Sequence, residues 1–148
     1  MRVATDEGTG DAHISVSQKL PLSGAVVVST PQEVALVDAR RGVDLYRQVG
    51  VTILGMIENM AWSDDAAGGR VHLFGAGGVA RAARDAGVEL LAEVPLLMGI
   101  RAGADAGTPA ALRAGSPEAA PYERAARRLA QKLQLLPEAP QQAAPDLR

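Results

Sequence analysis

The sequence predicts an α/β chain built on a partial, doubly wound parallel sheet. Three observations carry that prediction. Short apolar, β-rich runs recur at Ala25–Ser29, Val51–Ile57 and Glu89–Val94. Stretches of helical periodicity separate them and follow the last. Glycine or proline stands at the junctions, at Gly50, Gly87 and Pro95. Strands alternating with helices imply parallel pairing through right-handed crossovers. Parallel sheets are normally covered on both faces, and three long strands make a small sheet, so it reads as incomplete.

Taken in order, residues 1–10 are polar and glycine-containing and read as a flexible N-terminal segment. Asp11 to Gln18 suits a short helix ended by Pro21. Ala25-Val26-Val27-Val28 is an unbroken apolar run, the pattern of a buried strand. It runs directly into Ser29-Thr30-Pro31-Gln32-Glu33. Thr30 and Glu33 stand at capping-box spacing, with Pro31 at the first helical position, where a missing N–H costs nothing. From there to Val49, residues Ala35, Leu36, Ala39, Gly42, Val43, Tyr46 and Val49 form one apolar helical face. Gly50 stops the helix.

Val51–Ile57 is the second strand, ending at Glu58-Asn59-Met60. Residues 61–70 read as a flexible polar loop and Val71–Phe74 as a short strand. Gly77–Ala86 reads as a helix stopped by Gly87, and Met98–Asp105 as another. A last amphipathic helix follows Pro117 and Pro121. It sets Tyr122, Ala125, Ala126, Leu129 and Leu133 on one face and Arg124, Arg127, Arg128 and Lys132 on the other. The domain is expected to span residues 11–136, and residues 137–148, rich in Pro, Gln and Ala, read as a disordered tail.

Composition narrows the chemistry. The 148 residues suit one domain, 47% are hydrophobic and only 3% aromatic, so the core rests on Val, Leu, Ile and Ala. A net charge of -2 gives no basic excess for nucleic acid. With no cysteine, disulfides, thiolate metal sites and cysteine nucleophiles are excluded. The two histidines, His13 and His72, cannot form a strong metal site alone and read as structural or solvent-facing. No apolar run approaches the about 20 residues of a membrane span, and the acidic start lacks a secretory core. The expected compartment is the cytoplasm, with the mitochondrial matrix as the alternative.

Candidate sites each have two readings. Gly8-Thr9-Gly10-Asp11 could cradle phosphate with backbone N–H groups, Asp11 holding a water or Mg²⁺, or be an ordinary turn. Thr30 and Gln32 stand where open α/β sheets bind ligands, or simply cap a helix. Asn59 could read a base edge with its amide or terminate a strand, and Pro95 could shape the same pocket or end the third strand. Gly75-Ala76-Gly77-Gly78-Val79-Ala80 fits a dinucleotide fingerprint, with Glu93 further on as a ribose ligand, or a close-packing turn. Arg70 and Arg101 read as surface charges. Trp62 is either an exposed anchor or a local packing residue.

Taken together, several of these runs resemble the Mrp/NBP35 family of ATP-binding proteins. They are Gly8-Thr9-Gly10-Asp11, Leu20 through Ala39, Leu54 through Met60, Phe74 through Gly78, and Val94-Pro95-Leu96 with Ile100-Arg101. The resemblance runs in order from about Gly8 to Leu133. It implies a deviant P-loop NTPase fold that works as a dimer, binds ATP with Mg²⁺ and carries a [4Fe–4S] cluster to apo iron–sulfur proteins. It also implies that Asp11 ends a switch, that Thr30, Pro31 and Gln32 form the next switch-like segment, that Asn59 lies beside adenine, and that Pro95 lies where the chain wraps the base.

This sequence departs from that pattern where the family's chemistry resides. No lysine-bearing glycine loop is present, nor the strand and helix around it, and Ala4 falls about where the Walker B aspartate would be. The cluster-holding Cys-x-x-Cys should lie between Trp62 and Arg70, where the chain reads Ser63-Asp64-Asp65-Ala66-Ala67-Gly68-Gly69. Without the phosphate loop, β/γ-phosphate charge has no cradle. Without thiolates a cluster lacks its usual ligands. The expectation is therefore a truncated relative without ATPase or cluster-carrying activity of its own. One alternative is a non-catalytic binding or regulatory partner, a homodimer or a heterodimer with a full-length relative. A second is a dinucleotide-binding enzyme built on Gly75–Ala80.

Overall fold

A computed structural model of the chain describes the backbone of residues 3–6 and residues 22–135 in full. The main sheet has four strands, β1 (Val3–Asp6), β2 (Gly24–Ser29), β3 (Ile53–Asn59) and β6 (Leu90–Val94), in the order β1-β2-β3-β6. Every neighbouring pair is parallel. A two-stranded antiparallel hairpin, β4 (Ser63–Asp64) and β5 (Arg70–Val71), stands apart. The helices are α1 (Glu33–Gln48), α2 (Gly78–Asp85), α3 (Met98–Asp105) and α4 (Ala120–Gln134), with a 3₁₀ turn at Ala110–Leu112.

The partial parallel α/β sheet is as the sequence predicts, and the β1 strand corrects one expectation. Val3–Asp6 falls in the segment read as flexible loop, yet it pairs with β2 from Val3↔Gly24 to Asp6↔Val27. Four residues, Val3-Ala4-Thr5-Asp6, are too short a run to signal a strand alone; the neighbouring strand supplies the ladder.

Strand alternation divides the core into two faces. Val27 and Met56 pack with Leu36, Ala39 and Val43 of α1 and Val79, Ala82 and Ala83 of α2. Val26, Leu54, Leu91 and Ala92 face the other way and pack with Ala125 of α4, flanked by Leu129 and Leu133. Strict alternation is broken at two register shifts, which put Leu54 and Met56 on opposite faces and the adjacent Leu91 and Ala92 on one. Ala126, expected on the apolar face of α4, is exposed. It follows Ala125 by one residue, a rotation of about 100° that carries it off the buried stripe.

The carboxyl ends of β2 and β3 place Ser29-Thr30 and Asn59-Met60 side by side at one rim. Register confirms the neighbourhood, since Ser29 is paired with Glu58 and Asn59 with Val94.

Candidate nucleotide-side cleft

Thr30 follows β2 directly. Its hydroxyl donates to Gln32 Oε1 at 2.7 Å, while Ser29 Oγ donates to the Thr30 carbonyl at 3.1 Å. The capping box is not formed. Gln32 is the N-cap of α1, extended at φ -66° and ψ 139°, and makes no side-chain cap bond. The first helical carbonyl is Gln32 O, which accepts Leu36 N–H at 3.0 Å. Pro31 therefore precedes the helix, and Thr30 lies two residues upstream of the capping position. Its hydroxyl turns to the Gln32 amide, fixing that side chain.

Asn59 ends β3. Its Oδ1 accepts the Met60 N–H at 3.0 Å, and Met60 adopts a left-handed φ of 55°. This local bond holds Oδ1 and leaves the amide NH₂ available. Thr30, Val34, Asp38, Asn59 and Met60 line a shared cavity of about 340 Å³, with the β2 end and α1 forming its other walls. Of the expected site residues, the structure brings Thr30 and Asn59 to this cleft, with Gln32 bonded to Thr30. Pro95 does not line it. Pro95 is buried one residue beyond Val94, the register partner of Asn59. Gly8, Gly10, Asp11 and His13 lie outside the described residues.

The cleft offers a fixed hydroxyl, a carboxamide and the uncapped N-terminus of a 16-residue helix. Such an end carries partial positive charge. Glu33 in the first turn offsets it, and is itself paired with Arg40 at 3.1 Å. Neither lysine nor arginine lines the cavity among the described residues. The arrangement suits hydrogen bonding to a planar heterocycle better than neutralising phosphate charge.

Beside this cleft sits a group that sequence reasoning missed. Glu58 is 1% exposed, and its Oε2 accepts the Val79 N–H at 2.9 Å, capping the start of α2 from strand β3. A lone acidic residue within an otherwise apolar strand was the available signal. The contact answers the dinucleotide reading of Gly75–Ala80. The residues just before Gly75 are not a strand of the main sheet, and the helix end that would receive a pyrophosphate already holds a carboxylate. Gly78 is instead required for close approach: a Cβ there would stand 2.5 Å from Pro31 O. Glu93, the ribose candidate, lies exposed on β6 in a separate cleft with Trp62 and Arg70.

The loop between Trp62 and Arg70 is also corrected. It is a closed hairpin, with Asp65 Oδ1 accepting Ala67 N–H at 2.8 Å and Gly69 N–H at 2.7 Å. β5 covers only Arg70–Val71, not Val71–Phe74, because the tight Asp65 turn pairs Asp64 with Arg70. His72 Nδ1 lies 2.8 Å from Ala61 O, a structural tether. Among the described residues no group of three or more His, Cys, Asp or Glu could hold a metal ion, and no helix is long and apolar enough to cross a membrane.

Comparison with known proteins places this geometry in a family. The family model described as ParA, NUBPL iron-transfer P-loop NTPase, matches residues 3–134. The mouse iron–sulfur cluster transfer protein NUBPL is 41% identical over 133 residues, covering 88% of this chain and 42% of the mouse protein. An iron–sulfur cluster carrier protein of Pseudomonas fragi is 48% identical over 106 residues, covering 71% of this chain and 37% of the relative. The chain thus spans less than half the length of these relatives. A nucleotide-binding protein from Archaeoglobus fulgidus, solved in complex with ADP, superposes with a TM-score of 0.62 at 32% identity, covering 74% of this chain and 44% of that one. The cell-division ATPase MinD of Pyrococcus furiosus, at 24% identity and a TM-score of 0.60, shares the fold. The chain belongs to the NUBPL iron-transfer P-loop NTPase family, within the wider Mrp/NBP35 group.

Proposed function

We propose that this chain supplies the base-binding side of an ATP-linked iron–sulfur carrier, without hydrolysing ATP or holding a thiolate-ligated cluster by itself. The observation that carries the reading is the convergence of Thr30 and Asn59 on one cleft at the carboxyl ends of adjacent parallel strands. Open α/β sheets bind ligands at that edge. The ADP complex of the 32%-identical relative supports nucleotide as the ligand class.

The same reading limits what the chain can do. Phosphoryl transfer is catalysed mainly by positioning and charge stabilisation. The sequence holds only two lysines, Lys19 and Lys132, and neither belongs to a glycine loop. A sequence without cysteine offers no thiolate to a cluster, and the hairpin at Ser63–Val71 closes on Asp65 instead. Asp11, with Gly8 and Gly10, is the proposed switch contribution to a nucleotide-bound Mg²⁺. Function then needs a phosphate loop that residues 1–148 do not supply, with a full-length relative as the proposed partner, in the cytoplasm or mitochondrial matrix, and apo iron–sulfur proteins as eventual recipients.

The test is ATP hydrolysis by the purified chain, alone and mixed with a full-length relative. The expected result is no phosphate release above a no-protein control from the chain alone, and a shift to a larger complex on size exclusion with the relative. Turnover by the chain alone overturns the reading. So does failure to associate.

A further inference from the structure

A second cleft lies away from the nucleotide side. Trp62 and Arg70 from the hairpin, Glu93 on β6, and Arg124 and Arg128 on α4 line a space of about 390 Å³ along the outermost strand. β6 is the end of the sheet, and no strand pairs with its outer edge among the described residues. Arg128 already donates there, to Leu90 O at 2.7 Å and Leu91 O at 3.2 Å, while pairing with Glu89 at 3.3 Å.

The charge of the lining is uneven: three guanidinium groups and one carboxylate. Arg40, Arg41, Arg101 and Arg127 each have a carboxylate partner. Arg70 and Arg124 have none among the described residues. Arg70 is held instead over the Trp62 ring, 4.2 Å from its centroid. Stacking fixes the guanidinium while leaving its edge free to fork onto a carboxylate. Arg47, Arg81 and Arg113 also lack a carboxylate but each donates to a backbone carbonyl; what distinguishes Arg70 and Arg124 is that both line one cleft.

We propose that this cleft is a docking groove for an extended, acidic peptide segment of a partner protein. Arg128 occupies Leu90 O and Leu91 O, so an extended backbone pairs with the edge beyond them, and alternate side chains then supply specificity. Carboxylates on one face of a strand repeat about every 6.6–7 Å, a spacing that lets one peptide reach both Arg70 and Arg124. Trp62 gives a flat apolar surface beside them. Glu93 repels an unbroken acidic run, which favours alternating acidic and apolar residues. A free anion would gain the charge but not the strand pairing.

Trp62 is the only tryptophan, so its emission reports on this cleft directly. The full chain is titrated with an acetylated six-residue peptide of alternating Glu and Val, with its Lys–Val counterpart, and with inorganic phosphate. The expected result is a saturable change in Trp62 emission with the Glu–Val peptide and at least about tenfold weaker binding of the Lys–Val peptide. Phosphate at matched concentration gives no such change. Arg124→Glu weakens the Glu–Val peptide about tenfold, and Arg124→Lys by less than about threefold. Arg124 is exposed, so circular dichroism of both variants should match the parent. The proposal is overturned if Trp62 emission ignores the Glu–Val peptide, if either control ligand binds as well, or if Arg124→Glu leaves the affinity unchanged.

Discussion

Replacing Glu58 tests whether one long-range hydrogen bond holds α2 against the sheet. In Glu58→Ala the Val79 N–H, at a residue 0% exposed, loses its acceptor with no route to water. An orphaned buried donor costs about 1–3 kcal/mol. Losing an anion at a helix N-terminus adds about 0.3–1 kcal/mol. The expected loss is therefore about 3 kcal/mol, a fall in Tm of about 10 °C for a domain of this size. Glu58→Gln keeps an acceptor of the same shape and loses only the charge, so about 1 kcal/mol is expected. Urea unfolding at neutral pH, followed by far-ultraviolet circular dichroism, separates the two. A loss under about 0.5 kcal/mol for the alanine variant refutes the cap, being below the cost of any orphaned buried donor. Equal losses for both variants refute the hydrogen-bond reasoning and leave charge alone.

Further expectations follow from the packing and ionisation. Gly78→Ala should destabilise by about 1–3 kcal/mol through overpacking, because its Cβ would meet Pro31 O at 2.5 Å and Leu36 Cδ1 at 2.9 Å. Gly42→Ala, inside α1 with nothing within 4 Å of a new Cβ, should stabilise by about 0.5–1 kcal/mol. Thermal melts of the pair check both signs. Burial raises the Tyr122 phenol above its ordinary pKa of 10.0. The folded state then holds that proton more tightly than the unfolded state, so its stability contribution is intact below the unfolded pKa and is lost as pH climbs through the folded one. Unfolding free energies measured across that alkaline range should fall less steeply for Tyr122→Phe than for the parent.

How far the sequence foretold the molecule depended on how local each cause was. The buried face of α1, with Leu36, Ala39, Gly42, Val43 and Tyr46, is set by periodicity and was readable. α3 likewise spans the expected Met98–Asp105. The start of α1 was misplaced because Thr30 satisfies a capping pattern in sequence yet spends its hydroxyl on Gln32. β1 has no strand signal of its own and exists through pairing with β2. Glu58 was passed over because its partner, Val79, lies 21 residues away. The same contact, with the close approach of Gly78 to Pro31 O, supports the packing-turn reading of Gly75–Ala80, which no glycine pattern could decide alone. Thr30 was readable as a candidate from the strand-to-helix junction and Asn59 from its place after a strand, but their meeting in one cleft depends on parallel register.

The most direct measurement is calorimetric titration of the purified chain with adenosine and with MgADP. The base side without a phosphate cradle should bind both weakly and within about threefold of each other, and Asn59→Ala should weaken both alike. Binding of MgADP more than about a hundredfold tighter than adenosine, surviving Asn59→Ala, would contradict the assignment and place a working phosphate site within this chain.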